Sequence, residues 1–367
     1  MKKIVGILSA AAVLATSVFA ADVSAGVRLA VDLFKYNTGS EDLSAITVRR
    51  ENEDYHKPVS FSIGDEKAGG ALHFTYKNGN TVLTGASIST KEDGSPDVAL
   101  TKDAGMIVTH WSIWVKPIDM LKVTVGSWSN TMNQEQIGYW RTESKIGADA
   151  GELVFTLAPI DGLAIDLAFA PGYDNAWLSK AKGSDASVAQ LGLMAHYGAD
   201  FGTISAMFKA ENTFKNLTFG VGYSNTFDPV FMFVNVLGVV GPKWNDDIEF
   251  KKIRIEGFAK AGIDAFTAML FLPVNINVYD GASKADKTLE LGAVARFNYA
   301  LDACTVFVEI EDSAIVSKDF GMSVKPGING NIGACNIECR VELGLNKPND
   351  GDFTMDIKVP VEFAISF

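Results

Sequence analysis

Long apolar runs are what this chain has least of. After residue 20 no stretch reaches the ~18 uninterrupted apolar residues that a membrane-crossing helix needs, so no candidate helical span follows the leader. Cysteine is also scarce: Cys304, Cys335 and Cys339 are the only three in 367 residues. Cys335 and Cys339 are four positions apart, about 13 Å along an extended strand and beyond disulfide reach, and an odd count agrees with free thiols. The four histidines, His56, His73, His110 and His196, are scattered, with no pair at metal-ligand spacing and no cysteine cluster beside them. No nucleophile elbow, P-loop or dinucleotide fingerprint stands in a strand-then-helix context. These absences exclude the familiar catalytic and cofactor signatures, so the expectation is a non-enzyme with no cofactor and no metal. Only 11 Pro are present, and no linker rich in Pro, Gly or Ser divides the chain. The net charge of −12 argues against nucleic acid or an anionic membrane surface as the main partner.

The chain opens with Met1, Lys2 and Lys3, an apolar stretch from Ile4 to Ala15, and small residues at the cleavage positions of Val18-Phe19-Ala20. That is the pattern of a secretory signal peptide over residues 1–20, with one domain expected over 21–367. Removing Lys2 and Lys3 takes the formal charge from −12 to −14. No Cys follows the apolar region, so a lipid anchor at the new N-terminus is not expected.

Alternation is what the sequence does have. Behind Phe367, every second residue is apolar: Ile365, Phe363, Val361, Val359, Ile357 and Met355. The interleaved set includes Glu362, Pro360, Lys358 and Asp356. A period of two places these sets on opposite faces of one strand. At about 13 residues it is as long as a tilted strand must be to cross a bilayer. The pattern recurs: Val27, Leu29, Val31 and Leu33 oppose Arg28 and Asp32, while Leu121, Val123 and Val125 oppose Lys122. Leu163, Ile165 and Leu167 enclose Asp166, and Ile253 and Ile255 oppose Lys252, Arg254 and Glu256. Leu289, Leu291 and Phe297 oppose Glu290 and Arg296, and Ile337, Val341 and Leu343 oppose Glu338, Arg340 and Glu342.

A secreted two-sheet sandwich also alternates. Strand length, the leader, and Tyr76, Tyr197, Tyr223 and Tyr299 at the ends of apolar sets favour the membrane. The expected fold is all-β: a transmembrane antiparallel β-barrel of about 16 to 18 strands, with short periplasmic turns and long extracellular loops. Compact turns are expected at 77–80, 116–119, 158–162, 198–200, 261–264, 300–302 and 329–331, where Asp, Asn, Gly and Pro cluster. Tyr76, Tyr197 and Tyr299 come just before such turns, as members of an aromatic girdle would. Longer polar stretches at 37–68, 91–104, 130–150 and 171–186 are expected to form the loops.

If the apolar set faces lipid, the opposite set lines the interior. The candidate pore-lining residues are Arg28, Asp32, Lys122, Asp166, Lys252, Arg254, Glu256, Glu290, Arg296, Glu309, Glu338, Arg340, Glu342, Lys358 and Glu362. A barrel of this strand number leaves an aqueous channel unless plugged, and a wet, charged lumen implies passage of small polar solutes. Bases and acids nearly balance in that set, while loop acids such as Glu51, Glu53 and Asp54 tilt the rim towards a weak cation preference. All three Cys share the lipid-facing parity. His73 and His196 share lumen parity, Trp111 shares lipid parity, Trp128 ends an inner-face set, and Trp140, Trp177 and Trp244 fall in loops. Val230 to Val240 breaks the rule, being apolar on both faces except at Asn235 and Gly238. Two readings stay open there: a wall strand packed on an infolded loop, or a greasy lumen patch for apolar solutes.

Leader, alternating strands, short Asp turns, long loops and a terminal Phe together resemble Gram-negative outer-membrane barrels of the porin type. The resemblance implies an outer-membrane location and a porin-like channel. It also implies that Val361, Phe363 and Phe367 act as the signal read by the barrel-assembly machinery. Trimers are common in that group, so a homo-oligomer is an open implication. The stretch Trp114 to Val123 also resembles hairpins of predicted spirochaete outer-membrane barrels. The expected partners are outer-membrane lipid, that machinery and small polar solutes. A fatty-acid-type transporter of hydrophobic solutes and a surface adhesin or structural barrel are the competing readings.

Overall fold

A strand with one apolar and one charged face needs two different surroundings, and a closed cylinder supplies both. In the computed structural model, the described residues are 22–48, 59–77, 87–90, 96–99, 105–134, 137, 143–170, 190–211, 216–242, 248–277, 288–315, 319–347 and 351–366. The expected leader over 1–20, Trp140, Trp177, Trp244 and Phe367 lie outside them. The first strands are β1 (Asp22–Asn37), β2 (Asp42–Val48), β3 (Val59–Gly64), β4 (Ala68–Lys77), β5 (Ser87–Thr90), β6 (Pro96–Ala99), β7 (Gly105–Ile118) and β8 (Leu121–Thr131). Then come β9 (Lys145–Ile160), β10 (Leu163–Ala170), β11 (Gln190–Ala199), β12 (Gly202–Glu211), β13 (Asn216–Phe227), β14 (Val230–Pro242) and β15 (Ile248–Ile263). The last are β16 (Phe266–Asn277), β17 (Thr288–Ala300), β18 (Cys304–Ile315), β19 (Asp319–Ile332), β20 (Cys335–Arg340), β21 (Glu342–Lys347) and β22 (Thr354–Ser366).

Among the described residues, β5 and β6 form a separate hairpin and all other strands join one antiparallel sheet. β22 pairs with β1 from Gly26 opposite Ser366 to Asn37 opposite Asp356, so the sheet closes on itself. The other edge of β1 takes β3 along residues 22–27 and β2 along 31–37, so β2 and β3 share one wall position. β20 and β21 share another, between β19 and β22. The result is a closed barrel of 18 wall strands, within the expected range, and among the described residues closure leaves the wall sheet without a free edge.

Tight turns at 65–67, 119–120, 161–162, 200–201, 228–229, 264–265, 301–303 and 333–334 all lie on one rim, together with both ends of the described chain. Asp65, Asp119, Asp161, Asp200, Asp228, Asp264 and Asp302 each sit in one of them, because a short carboxylate can bond its own turn backbone. At Asp65, Oδ1 accepts the backbone N–H groups of Lys67 (2.7 Å) and Ala68 (2.8 Å), and these bonds hold its carboxyl below the ordinary 3.8. Gly162 adopts φ +79, where an added Cβ would lie 2.3 Å from the Gly198 carbonyl oxygen; only glycine fits that turn.

Several expected boundaries move. The stretch 37–68 is not one loop: it holds β2, β3 and the turn at 65–67, strands of only 7 and 6 residues set among polar ones. Residues 329–331 continue β19, and the turn falls at Gly333-Ala334. The opposite rim carries the long connections 78–104 and 171–189, but also short ones at 38–41 and 212–215. Tyr197, Tyr223 and Tyr299 stand near the turn rim, whereas Tyr76 lies on the other rim, because β4 runs away from the turns and enters the long connection at 78.

The outer face is apolar and bare. Val221 is 61% exposed, Val234 48%, Leu272 42% and Ile310 38%, a continuous belt far larger than the few hundred Å² that a water-soluble monomer leaves uncovered. Free Cys304, Cys335 and Cys339 alternate with the inward polar positions, as their parity requires.

Candidate functional site in the barrel interior

The inner face is not uniform. On β14, Met232, Val234 and Val236 are exposed outward, while Phe233, Asn235 and Leu237 are buried inward. Phe233 stacks on Phe258 of β15, with ring centroids 5.3 Å apart. Around them pack Ile137, Met269, Phe271 and Val294, with Phe231 alongside. A second cluster joins Leu237 to Met132, Ile146, Met194 and Met207, with Trp128 beside it. Met132 and Ile137 belong to the connection between β8 and β9, so this segment folds inside the barrel against β11–β17. Of the two readings of Val230 to Val240, this is the wall strand packed on an infolded loop. β13 makes room with glycine: a Cβ on Gly222 would sit 2.4 Å from Asn235 Oδ1 and 2.9 Å from Asn133 Nδ2, and one on Gly220 3.0 Å from the Met132 methyl.

Glu256 on β15 is the polar anchor of that segment. It is fully buried. It accepts hydrogen bonds from the Glu143 backbone N–H (2.6 Å), Ser144 Oγ (3.0 Å), Asn235 Nδ2 (3.0 Å) and Arg254 Nε (2.7 Å). Asn133 Nδ2 donates to Asn235 Oδ1 at 2.8 Å. Arg254, itself 1% exposed, also pairs with Glu143 at 3.3 Å and donates to Asn275 at 3.2 Å. Lys252 reaches the other Glu143 oxygen at 2.7 Å, and Asn275 and Asn277 pass the network on to Glu290. Buried charges persist only when so paired.

The remaining candidate residues form separate groups around the wall. Asp166 accepts from Asn130 (2.7 Å) and Thr156 (2.5 Å), and Asn130 also lies 3.3 Å from His196. The Lys122 ammonium stands 4.6 Å over the Trp114 ring. Glu309 lies between Arg296 (3.5 Å) and Lys325 (3.2 Å), and Lys325 also contacts Glu311 at 2.5 Å. Arg340 is ringed by Glu338 (2.6 Å), Glu342 (2.7 Å) and Glu362 (3.4 Å), with Lys358 opposite Glu342 in the ladder. Asp32 is buried on β1 beside a register shift; the Arg28 side chain lies outside the described residues. On β22, Val361 is buried and Phe363 half-buried on outer-face parity.

Two polar hollows open between these groups. One of about 370 Å³ is lined by Glu143, Lys145, Lys209, Thr218 and Leu237. The other, about 260 Å³, is lined by Glu311, Lys325, Glu342, Asp356 and Lys358. Among the described residues no group of three or more His, Cys, Asp or Glu is placed to hold a metal. Sequence reasoning missed Glu311 and Lys325, although the parity of Glu309 would have found Glu311, and alternation with Met322, Val324 and Ile328 would have found Lys325. It missed Asn133, Glu143 and Ser144 for a different reason: loop residues carry no parity.

The closed 18-strand wall, the single turn rim and the infolded segment between the fifth and sixth wall strands define a porin-type barrel fold. The chain is similar to the crystal structure of Acinetobacter baumannii OccAB3 at TM-score 0.56 and 10% identity, covering 95% of this chain and 100% of that one. It is similar to a BenF-like porin from Pseudomonas fluorescens Pf-5 at TM-score 0.55 and 10% identity, covering 95% and 100%. Pseudomonas aeruginosa OpdK, solved with vanillate, is similar at TM-score 0.51 and 12% identity, covering 94% and 99%. No protein-family model matches the chain, and no curated protein matches it in sequence. The likeness of the Trp114 to Val123 hairpin to spirochaete barrels finds no support in these comparisons.

Proposed function

We propose that this protein is an outer-membrane porin-like channel through which small polar solutes diffuse passively. One observation carries the reading: an apolar outer belt and a charged inner face on opposite sides of one closed 18-strand wall. A lipid-exposed barrel has every backbone group paired, and a barrel of this girth is too wide for wall side chains to fill. The infolded segment narrows the passage rather than building a greasy binding patch, since Met132 and Ile137 occupy the apolar inner face that would have served a hydrophobic solute.

A weak cation preference belongs to the same proposal. Along β18–β22, inward Glu309, Glu311, Glu338, Glu342, Asp356 and Glu362 outnumber Lys325, Arg340 and Lys358. We further propose that β22 is handled by the barrel-assembly machinery through Val361, Phe363 and Phe367, supported by its place as the closing strand on β1. Planar-bilayer recording tests the channel: open single-channel steps with a reversal potential of cation-selective sign are expected, and electrical silence would sink the reading.

A further inference from the structure

His73 and His110 are far apart in the chain, yet the register of β4 on β7 seats them directly opposite each other. Directly opposed residues of an antiparallel pair have Cβ atoms about 4.5–5.5 Å apart, so the backbone alone brings both imidazoles within reach of one ion. Their ring centroids are 6.0 Å apart, with planes at 90°. Two imidazoles sharing a metal through bonds of about 2.0–2.1 Å place their centroids about 5 to 6.4 Å apart, depending on the angle at the metal. The twist is no obstacle, because each nitrogen lone pair lies in its own ring plane and the outer torsion of His is soft. Both rings face the interior: their neighbours Leu72 and Trp111 are 45% and 37% exposed on the outer face, while the two His are half-buried. The ladder shifts register between His73 and Phe74, the kind of irregularity that re-aims a side chain.

We propose that His73 and His110 form a two-histidine site on the interior wall for a borderline divalent transition metal, Cu²⁺, Ni²⁺ or Zn²⁺. Imidazole suits these ions, and water completes the coordination shell. Two protein ligands leave positions open, so the metal exchanges with solution and with small ligands in transit. The site is independent of the channel reading, since metal binding is measured on the folded barrel whether or not it conducts.

The test is a titration of tag-free, folded barrel in detergent with Cu²⁺, read by calorimetry and electron paramagnetic resonance. One Cu²⁺ per chain is expected, with nitrogen hyperfine structure from two imidazoles. His73→Gln and His110→Gln should each weaken binding at least about tenfold, and the double variant should weaken it further, since each single variant keeps one imidazole. The spectrum of the unsubstituted protein needs no variant to fold. Fewer than two imidazoles in that spectrum, or an affinity unmoved by both substitutions, overturns the proposal and leaves the pair as an edge-on ring contact only.

Discussion

Two stretches of the same wall treat their inner faces differently. Along β13–β16 the interior is packed: Phe233, Leu237, Phe258 and Phe271 are buried, and Glu256 and Arg254 are as dry as the aromatics around them. Along β18–β22 it is charged and partly open, with the side chains of Lys325 17% and Arg340 18% exposed. The strands are alike in length and pairing, so the difference lies in what faces them. A segment from the β8–β9 connection covers the first stretch; among the described residues none covers the second. On the proposed channel reading, the packed stretch is the scaffold of the constriction and the open charge is the conducting surface.

Cutting the anchor should break this contrast most. Glu256→Ala takes from buried Arg254 its 2.7 Å carboxylate partner and from Ser144 and Asn235 their shared acceptor, and losing one partner of a buried pair costs about 3–5 kcal/mol. The urea midpoint of the folded barrel should fall, and single-channel conductance should rise as Glu143 and Ser144 come away from the wall. Phe233→Ala removes the ring stacked on Phe258 and should cost about 3 kcal/mol with a smaller gain in conductance; an unchanged midpoint would show that the aromatic cluster bears no load.

The outer face gives a control of intermediate size. Val236→Arg, in the middle of β14, should cost about 2–4 kcal/mol on folding into lipid, and Ile332→Arg, beside a turn, about 0–1. Equal costs would mean that the two positions do not differ in depth. In the open stretch, Arg340→Gln leaves Glu338, Glu342 and Glu362 without their common cation. Stability should change by only about 1 kcal/mol for partly exposed pairs, while the reversal potential in a salt gradient moves further towards cation selectivity. A shift in the anion-selective direction would refute the acidic track.

The smallest effect belongs to the turn rim. The Asp65 carboxyl is held below its ordinary 3.8 by two backbone N–H bonds, so its contribution is present above that value and is lost as pH falls through the lower, folded-state one. Unfolding measured between pH 7 and pH 3 should show Asp65→Asn matching the unsubstituted barrel less closely at neutral pH than in acid.

Local chemistry made most of the wall legible. Period-two alternation in β13, β15, β17 and β22 names both faces before any partner is known, because a strand has only two sides. The Asp turns at 161, 200, 264 and 302 are legible for the same reason, since a carboxylate bonds its own backbone within three residues. β2 and β3 escape because runs of 7 and 6 residues set among polar ones are too short to stand out, and Tyr76 falls on the other rim because polarity does not tell a hairpin turn from the start of a long connection.

By itself the sequence determined an all-β chain with one apolar and one charged face, turns rich in Asp, and three thiols on the apolar side, since each depends on neighbours within a few residues. Only the tertiary structure decided the 18-strand closure of β1 on β22, the meeting of Glu143 and Ser144 with Glu256 and of Met132 and Ile137 with the inner wall, and the meeting of His73 with His110. These depend on register between distant segments, and register is set by the whole cylinder closing at once rather than by any one strand.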